Sequence, residues 1–340
     1  MKAVSVRRIR RRVDGVLLLD KPLGLSSNAA LQRVKRCFAA EKAGHTGTLD
    51  PLATGLLPIC LGEATKFAQV LLDAGKTYVA TVRFGYATTT GDAEGEAIEE
   101  RPVAFEESAL RATLQRFVGV ILQQPPRYAA LKLAGRNYYE YAREGIEIPR
   151  VPREVTIEAI TLRSWAPPIA TIEVACGKGT YIRVLAEDLA RALGSAAHLA
   201  ALRRTAAGPF SLASAVELGA LEALPEADRG ALLLPIDAPI VGLPRLAVDA
   251  SAAASLRHGQ VPQSAGTLDG LYRCYEPDGA FIGLVSAVEG DLRSVRMVRE
   301  PPRHGNSETA TDGPHRASGD NDDCMSSTEA PYAEAPRCGS

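Results

Sequence analysis

Apolar and polar positions along the chain change period several times, and each change predicts an element. Val16 to Leu19 is an unbroken apolar run closing at Asp20-Lys21-Pro22, which predicts a short strand followed by a turn. Ser26, Ser27 and Asn28 offer caps for a helix over Ala29 to Phe38, where Leu31, Val34 and Phe38 recur at helical spacing. Gly44 to Gly55 is rich in Gly, Thr and Pro and reads as a loop. Leu56 to Leu61 is apolar again, and Ala64 to Leu72 reads as a helix. Lys76 to Tyr86 alternates and is rich in β-branched and aromatic residues, which predicts a strand, and Thr88 to Glu96 is a polar turn region.

Further along, Glu106 to Val118 is amphipathic at helical spacing and is broken at Gln124-Pro125-Pro126. Residues 127–150 interleave Arg, Lys and Tyr, a pattern that suits either a solvated helix or a loop that grips RNA. Val155 to Trp165 and Ala170 to Cys176 read as strands. Gly177-Lys178-Gly179-Thr180 then turns into a helix reaching Leu193, with Ile182, Leu185, Ala186, Leu189 and Leu193 on one face. Strands alternating irregularly with helices indicate an α+β class, not a doubly wound sheet. Pro239, Gly242 and Pro244 mark a boundary near 238–244, and short strand-like runs separated by glycines fill 245–300. The expected organisation is a basic arm (1–12), a larger α+β domain (13–240), a small β-rich module (245–300) and a polar tail (301–340) too poor in bulky apolar residues to form a core.

Composition adds limits. Hydrophobic residues make up 46% and charged residues 23%, enough apolar material for about two packed domains in 340 residues. No apolar run approaches the ~20 residues of a membrane span, and no signal peptide pattern precedes Gly15, so a cytoplasmic protein without membrane contact is expected. The six cysteines are irregularly spaced without a C-x-x-C, and the five histidines show no H-x-x-x-H, so reduced thiols and no metal site are expected. A net charge of −1 argues weakly against a nucleic-acid partner until its distribution is considered. Residues 301–340 hold seven acids against three bases, leaving +3 on residues 1–300, and Arg7, Arg8, Arg10, Arg11 and Arg12 cluster at the start.

Gly44 to Gly55 holds the most suggestive chemistry. Pro51 keeps Asp50 out of the helical region, and Leu49, Leu52, Leu56 and Leu57 anchor the loop around it. An aspartate with an ordinary pKa near 4 is ionised at neutral pH and can attack an electrophilic carbon without a separate base. An Asp-Pro turn beside a helix cap fits the same residues. Arg183 and Glu187 stand four apart on the expected helix and fit a surface ion pair, Tyr78 fits a core tyrosine, and His45 fits an ordinary loop histidine. The 177–180 turn lacks the spacing of a phosphate loop.

The run G-V-L-L-L-D-K-P-L-G-L-S-S-N from Gly15 and the run A-G-H-T-G-T-L-D-P-L-A-T-G-L-L-P-I-C-L-G-E-A-T-K ending at Lys66 resemble the bacterial tRNA pseudouridine synthase B family. The resemblance continues through Lys76-Thr77-Tyr78, Gly91 to Gly95, Tyr128 to Lys132, Gly177 to Arg183 and Leu202 to Thr205, covering roughly residues 12–300. It implies a pseudouridine synthase fold with a mixed, largely antiparallel central sheet flanked by helices, followed by a small PUA-like β-barrel that binds RNA. The implied activity is isomerisation of the T-loop uridine of tRNA, position 55, flipped into a pocket. By the same resemblance Asp50 is the nucleophile, Tyr78 stacks on the base and helps move a proton, and Arg183 pairs with Asp50. His45 holds flipped nucleotides, Leu202 lines the base pocket, Tyr181 and Lys21 lie at it, and Lys132 falls in an RNA-gripping insertion at about 125–152. Attack on ribose C1′, attack on the base, and removal of a sugar proton are all open to Asp50. No cofactor is implied, tRNA is the expected partner, no obligate protein partner is needed and a monomer suffices. Two rivals remain: a non-catalytic tRNA-binding or RNA-folding chaperone on the same fold, and a carboxylate glycosidase acting on a free nucleoside, which would need a second paired acid.

Overall fold

The computed structural model describes residues 10–264 and 266–299. The acidic tail and the first part of the basic arm lie outside them. β1 (Gly15–Lys21) is buried along almost its whole length. α1 (Ser27–Cys37) starts where the Ser26 side chain accepts from the Ala29 N–H, and buries Ala30, Leu31, Val34 and Cys37 on one stripe. β2 (Ala43–His45) and β3 (Ala53–Leu61) occupy both ends of the stretch expected to be a loop. Their backbones pair, His45 opposite Ile59, and leave only the middle irregular. The helix expected over Ala64 to Leu72 is split into a 3₁₀ segment, Gly62–Phe67, and α2 (Ala68–Asp73). Gly62 adopts φ +53° because a side chain there would collide with Asp14, which instead accepts from the Glu63 N–H.

β4 (Lys76–Phe84) is central, with antiparallel partners on both sides. β5 (Tyr86–Thr88) and β6 (Ala97–Glu100) form a hairpin around the polar turn. α3 (Glu107–Arg116) leads to an edge strand, β7 (Gly119–Gln123). Residues 127–150 form no continuous helix but a small hairpin, β8 (Lys132–Leu133) with β9 (Arg136–Asn137), and a short helix, α4 (Tyr138–Arg143). β10 (Arg153–Ala166), β11 (Ile169–Cys176) and α5 (Ile182–Ala192) follow as expected. β12 (Ala197–Ala207), β13 (Phe210–Ser211), β14 (Val216–Glu217) and α6 (Leu218–Ala223) complete this part.

The main sheet runs β14-β1-β3-β12-β4-β11-β10-β7, with β13 beside β12 and β2 beside β3. Only β1/β14 and β3/β12 are parallel, so the sheet is mixed and largely antiparallel. α3 and α5 cover one half of it through Leu110, Leu114, Leu185 and Leu189, and α1 and α6 cover the other through Val34 and Leu221. Cys37, Cys60, Cys176 and Cys274 are free thiols buried in these cores.

Residues 245–297 contain β15 (Arg245–Ala247), α7 (Ala250–Arg257), β16 (Gly270–Tyr275), β17 (Phe281–Val288) and β18 (Asp291–Met297). They form a four-stranded sheet in that strand order, open where a closed barrel was expected, around Ala253, Leu256, Ile282, Val285 and Leu292. The sheet docks on the main body where Leu284 and Phe281 meet Phe67 and Ile240. Lys66 donates to the Met297 carbonyl at 2.8 Å, and the Arg299 N–H to Glu63 at 2.6 Å. Among the described residues no helix is long and apolar enough to cross a membrane.

Candidate active site

Asp50 sits on the connection between β2 and β3, and that connection is pinned from below. Ser27, the first residue of α1, accepts from the Leu49 N–H at 2.7 Å and donates to the Leu49 carbonyl at 3.0 Å. The Asp50 carbonyl accepts from the Ala53 N–H at 3.0 Å. With Leu49 buried, the carboxyl is turned outward and about two-fifths exposed. Arg183, in the first turn of α5, meets it with Nη2 3.0 Å from Oδ2.

The same guanidinium is held on its other edges. Nη1 donates to the Thr90 carbonyl at 3.0 Å, Nη2 to the Tyr128 carbonyl at 2.8 Å, and Nε faces Asp92 Oδ2 at 3.7 Å. Arg183 is therefore no surface partner of Glu187, which stands against Gly91 instead. Asp92 is itself fixed by Thr90 Oγ1 and by the Glu94 N–H. Asp92 lies within the Gly91 to Gly95 turn, where its sequence context assigns it no role. Its signal was an acid in a Gly-bounded turn, which only the fold brings to Arg183.

Asp50, Tyr78, Tyr181, Arg183 and Leu202 line one cavity of about 300 Å³. Tyr78 comes from β4 and Leu202 from β12. Tyr181 immediately precedes α5, its N–H donating to buried Gln123 on β7 at 3.0 Å. Ala129, Ala130 and Leu131 of the insertion form a wall. A second cavity, about 550 Å³, shares Asp50 and Arg183 and adds His45, Asn28, Glu94, Tyr139 and Arg143. His45 Nδ1 is buried there without a hydrogen-bond partner. Lys21 lines neither cavity. It is fully buried, with Nζ donating to the carbonyls of Pro22 (2.9 Å) and Leu25 (2.6 Å). Lys132 is exposed on the insertion hairpin, away from both cavities.

The electrostatics differ from the simple expectation for Asp50. Desolvation and the charge of Asp92 push its pKa above the ordinary value, against the opposing pull of Arg183 and Lys21. Burial lowers Lys21 to about 8, partly offset by Asp50. His45 is shifted down by desolvation and then by Arg204, which favours the neutral ring. Burial raises Tyr78, against the pull of Arg204. Arg204, to which no sequence motif assigns a role, is fully buried and lines the first cavity beside Tyr78.

This mixed sheet and the family matches below place the chain among the pseudouridine synthases. The chain belongs to the tRNA pseudouridine synthase B family. Its residues 35–182 match the TruB family pseudouridylate synthase N-terminal domain, 183–241 the tRNA pseudouridylate synthase B C-terminal domain, and 243–299 the tRNA pseudouridine synthase II C-terminal domain. The tRNA pseudouridine synthase B of Burkholderia mallei is 53% identical over 299 residues, covering 86% of this chain and 96% of that protein. That of Methylobacillus flagellatus is 52% identical over 299 residues, covering 87% and 99%. Among solved structures, a Cbf5-Nop10-Gar1 complex matches with TM-score 0.63 and 26% identity over 84% of each chain. An H/ACA RNP bound to a substrate RNA containing 2′-deoxyuridine matches with TM-score 0.62 and 25% identity, over 85% of this chain and 86% of that one.

Proposed function

We propose that this enzyme, which converts uridine to pseudouridine in tRNA, acts on the T-loop uridine at position 55 with Asp50 as its nucleophile. The observation carrying this reading is the Asp50–Arg183 pair at the floor of a cavity walled by Tyr78, Tyr181 and Leu202. About 300 Å³ is at the small end of ligand pockets and suits one flipped base. Flipping costs a few kcal/mol, and stacking on Tyr78 returns about 1–3 kcal/mol. The uracil N1–C1′ bond breaks with its electron pair passing to the ring, the ring turns, C5 bonds to C1′, the C5 hydrogen leaves as a proton, and N1 takes up a proton. Asp50 serves either by bonding to the sugar or the base or by taking a sugar proton. Arg183 holds its carboxylate in place through an ion pair at 3.0 Å. Glu94 and Asp92 are near, but each faces the second cavity, which offers His45, Tyr139 and Arg143 to neighbouring nucleotides.

In this reading residues 13–240 carry the chemistry, and the 125–152 insertion with the 245–300 module grips RNA. The enzyme works in the cytoplasm as a monomer, without an obligate protein partner. The test is tritium release from tRNA labelled at uridine C5, with wild type and Asp50→Asn side by side. Release by the wild type alone is expected. Release by both removes Asp50 from its role, and release by neither, with tRNA still bound, favours a non-catalytic RNA-folding role.

A further inference from the structure

Arg204 leads the fully buried side chains in size, yet it faces no carboxylate among the described residues. A buried cation is normally paired, because desolvating a charge without a counter-ion is expensive. The neighbouring Arg203 takes the ordinary structural role, pairing with Asp20 at 2.6 Å near the surface. Arg204 points the other way. Its Nε donates to the Leu56 carbonyl at 2.7 Å and its Nη2 to the Gly47 carbonyl at 3.1 Å, so it grips the chain on both sides of Asp50. Gly47, at φ +103°, allows this: a Cβ there would lie 3.3 Å from Nη1. Across β12 and β4, Arg204 stands directly opposite Tyr78, and the two line the same cavity.

We propose that Arg204 is a positioning residue for the isomerisation, tying the Asp50 loop to β12 directly opposite Tyr78 and acting on the bound uracil through the Tyr78 hydroxyl. When the N1–C1′ bond breaks, its electron pair passes to the ring, and when the C5 hydrogen leaves, a proton must be accepted beside the ring. A fixed positive charge beside Tyr78 stabilises the electron pair on the ring and favours the ionised tyrosine that can accept the proton. The cation has no carboxylate of its own, so its field is directed at the cavity. This role rests on the uridine-isomerising reading above.

The experiment is single-turnover tritium release, with tRNA affinity measured alongside, for wild type, Arg204→Gln, Arg204→Lys, Tyr78→Phe and the Tyr78→Phe/Arg204→Gln double variant. Arg204→Gln should slow release about 100-fold while changing tRNA affinity less than about 3-fold. In the Tyr78→Phe background, which keeps the ring and loses the hydroxyl, the same change should cost less than about 5-fold. Arg204→Lys keeps the charge and loses the fork, and should recover about 10-fold over Gln. Any alkaline inflection of the rate should move to higher pH in Arg204→Gln and stay in Arg204→Lys. Equal losses in both backgrounds, or lost affinity that accounts for the lost rate, would overturn the proposal. Should the Gln variant melt before assay, the same cycle run with Lys decides between these outcomes. No release by the wild type would sink the functional reading and this role with it. Wild-type release with an additive cycle sinks this role alone.

Discussion

Asp50 and Asp92 share one guanidinium, and the charge of Asp92 changes how Asp50 holds its proton. Asp50 is raised by desolvation first and by Asp92 second. If Asp50 acts as proposed, its working form is the carboxylate, and activity falls as pH drops through a folded-state pKa that lies above the ~4 of a free aspartate. Asp92→Asn removes the raising charge and should move this acid limb to lower pH. The rate at neutral pH should drop about tenfold, as Arg183 loses a carboxylate at 3.7 Å. Single-turnover rates between pH 4.5 and 8 would show it; an unmoved limb speaks against coupling through Arg183. The same shift has a thermodynamic face. A raised carboxyl binds its proton more tightly folded than unfolded, so its ionised form weakens the fold at pH above the folded pKa. Asp50→Asn should therefore melt about 1–3 °C higher than wild type at pH 8, with the gain vanishing near pH 4 where both are neutral. Melting curves at the two pH values check the sign. Arg183 keeps its Asp92, Thr90 and Tyr128 contacts in that variant, so the arginine is not stranded.

At the scale of elements, the site depends on β12 lying between β3 and β4. Gly55 of β3 is opposite Arg204 in the parallel ladder, at φ +98°, and a Cβ there would come within 2.3 Å of the Arg204 carbonyl oxygen. Neither backbone can yield without parting the strands. Gly55→Ala should cost at least about 3 kcal/mol, whereas Gly44→Ala, with open space around it, should stay within about 1 kcal/mol. Urea unfolding of both variants tests the contrast, and equal midpoints would refute it. β12 was also the element least legible in the sequence. Ala197 to Ala207 is rich in Ala and Arg, which do not favour strands, and it is one because β3 and β4 offer ladders on both sides. The short edge strand β7 escaped notice for a similar reason, since Val120 and Leu122 face solvent. By contrast β1, α1, β10, β11 and α5 announced themselves, because their burial follows from local period and capping. Asp50, Tyr78 and Arg183 were legible as motif residues. Asp92 and Arg204 were not, since their meaning lies in contacts across strands far apart in sequence, and no periodicity separates buried Arg204 from exposed Arg203.

At the scale of the whole molecule, charge is distributed against the tail. The chain carries −1 overall, yet residues 1–300 carry +3 and residues 301–340 carry −4. RNA binding to the basic part depends on phosphates displacing counter-ions, which makes it sensitive to any competing acidic segment of the same chain. The tail is therefore expected to act as a weak electrostatic competitor for the surface that takes tRNA. Removing residues 301–340 should tighten tRNA binding about 2–5-fold at 50 mM salt. The difference should disappear near 500 mM, where the screening length falls to about 4 Å. Single-turnover rates at saturating tRNA should not change, because the cavity around Asp50 is built from residues 47–204. Filter binding across a salt series with both proteins separates the cases. Parallel binding curves with no offset at low salt would show that the tail exerts no such competition.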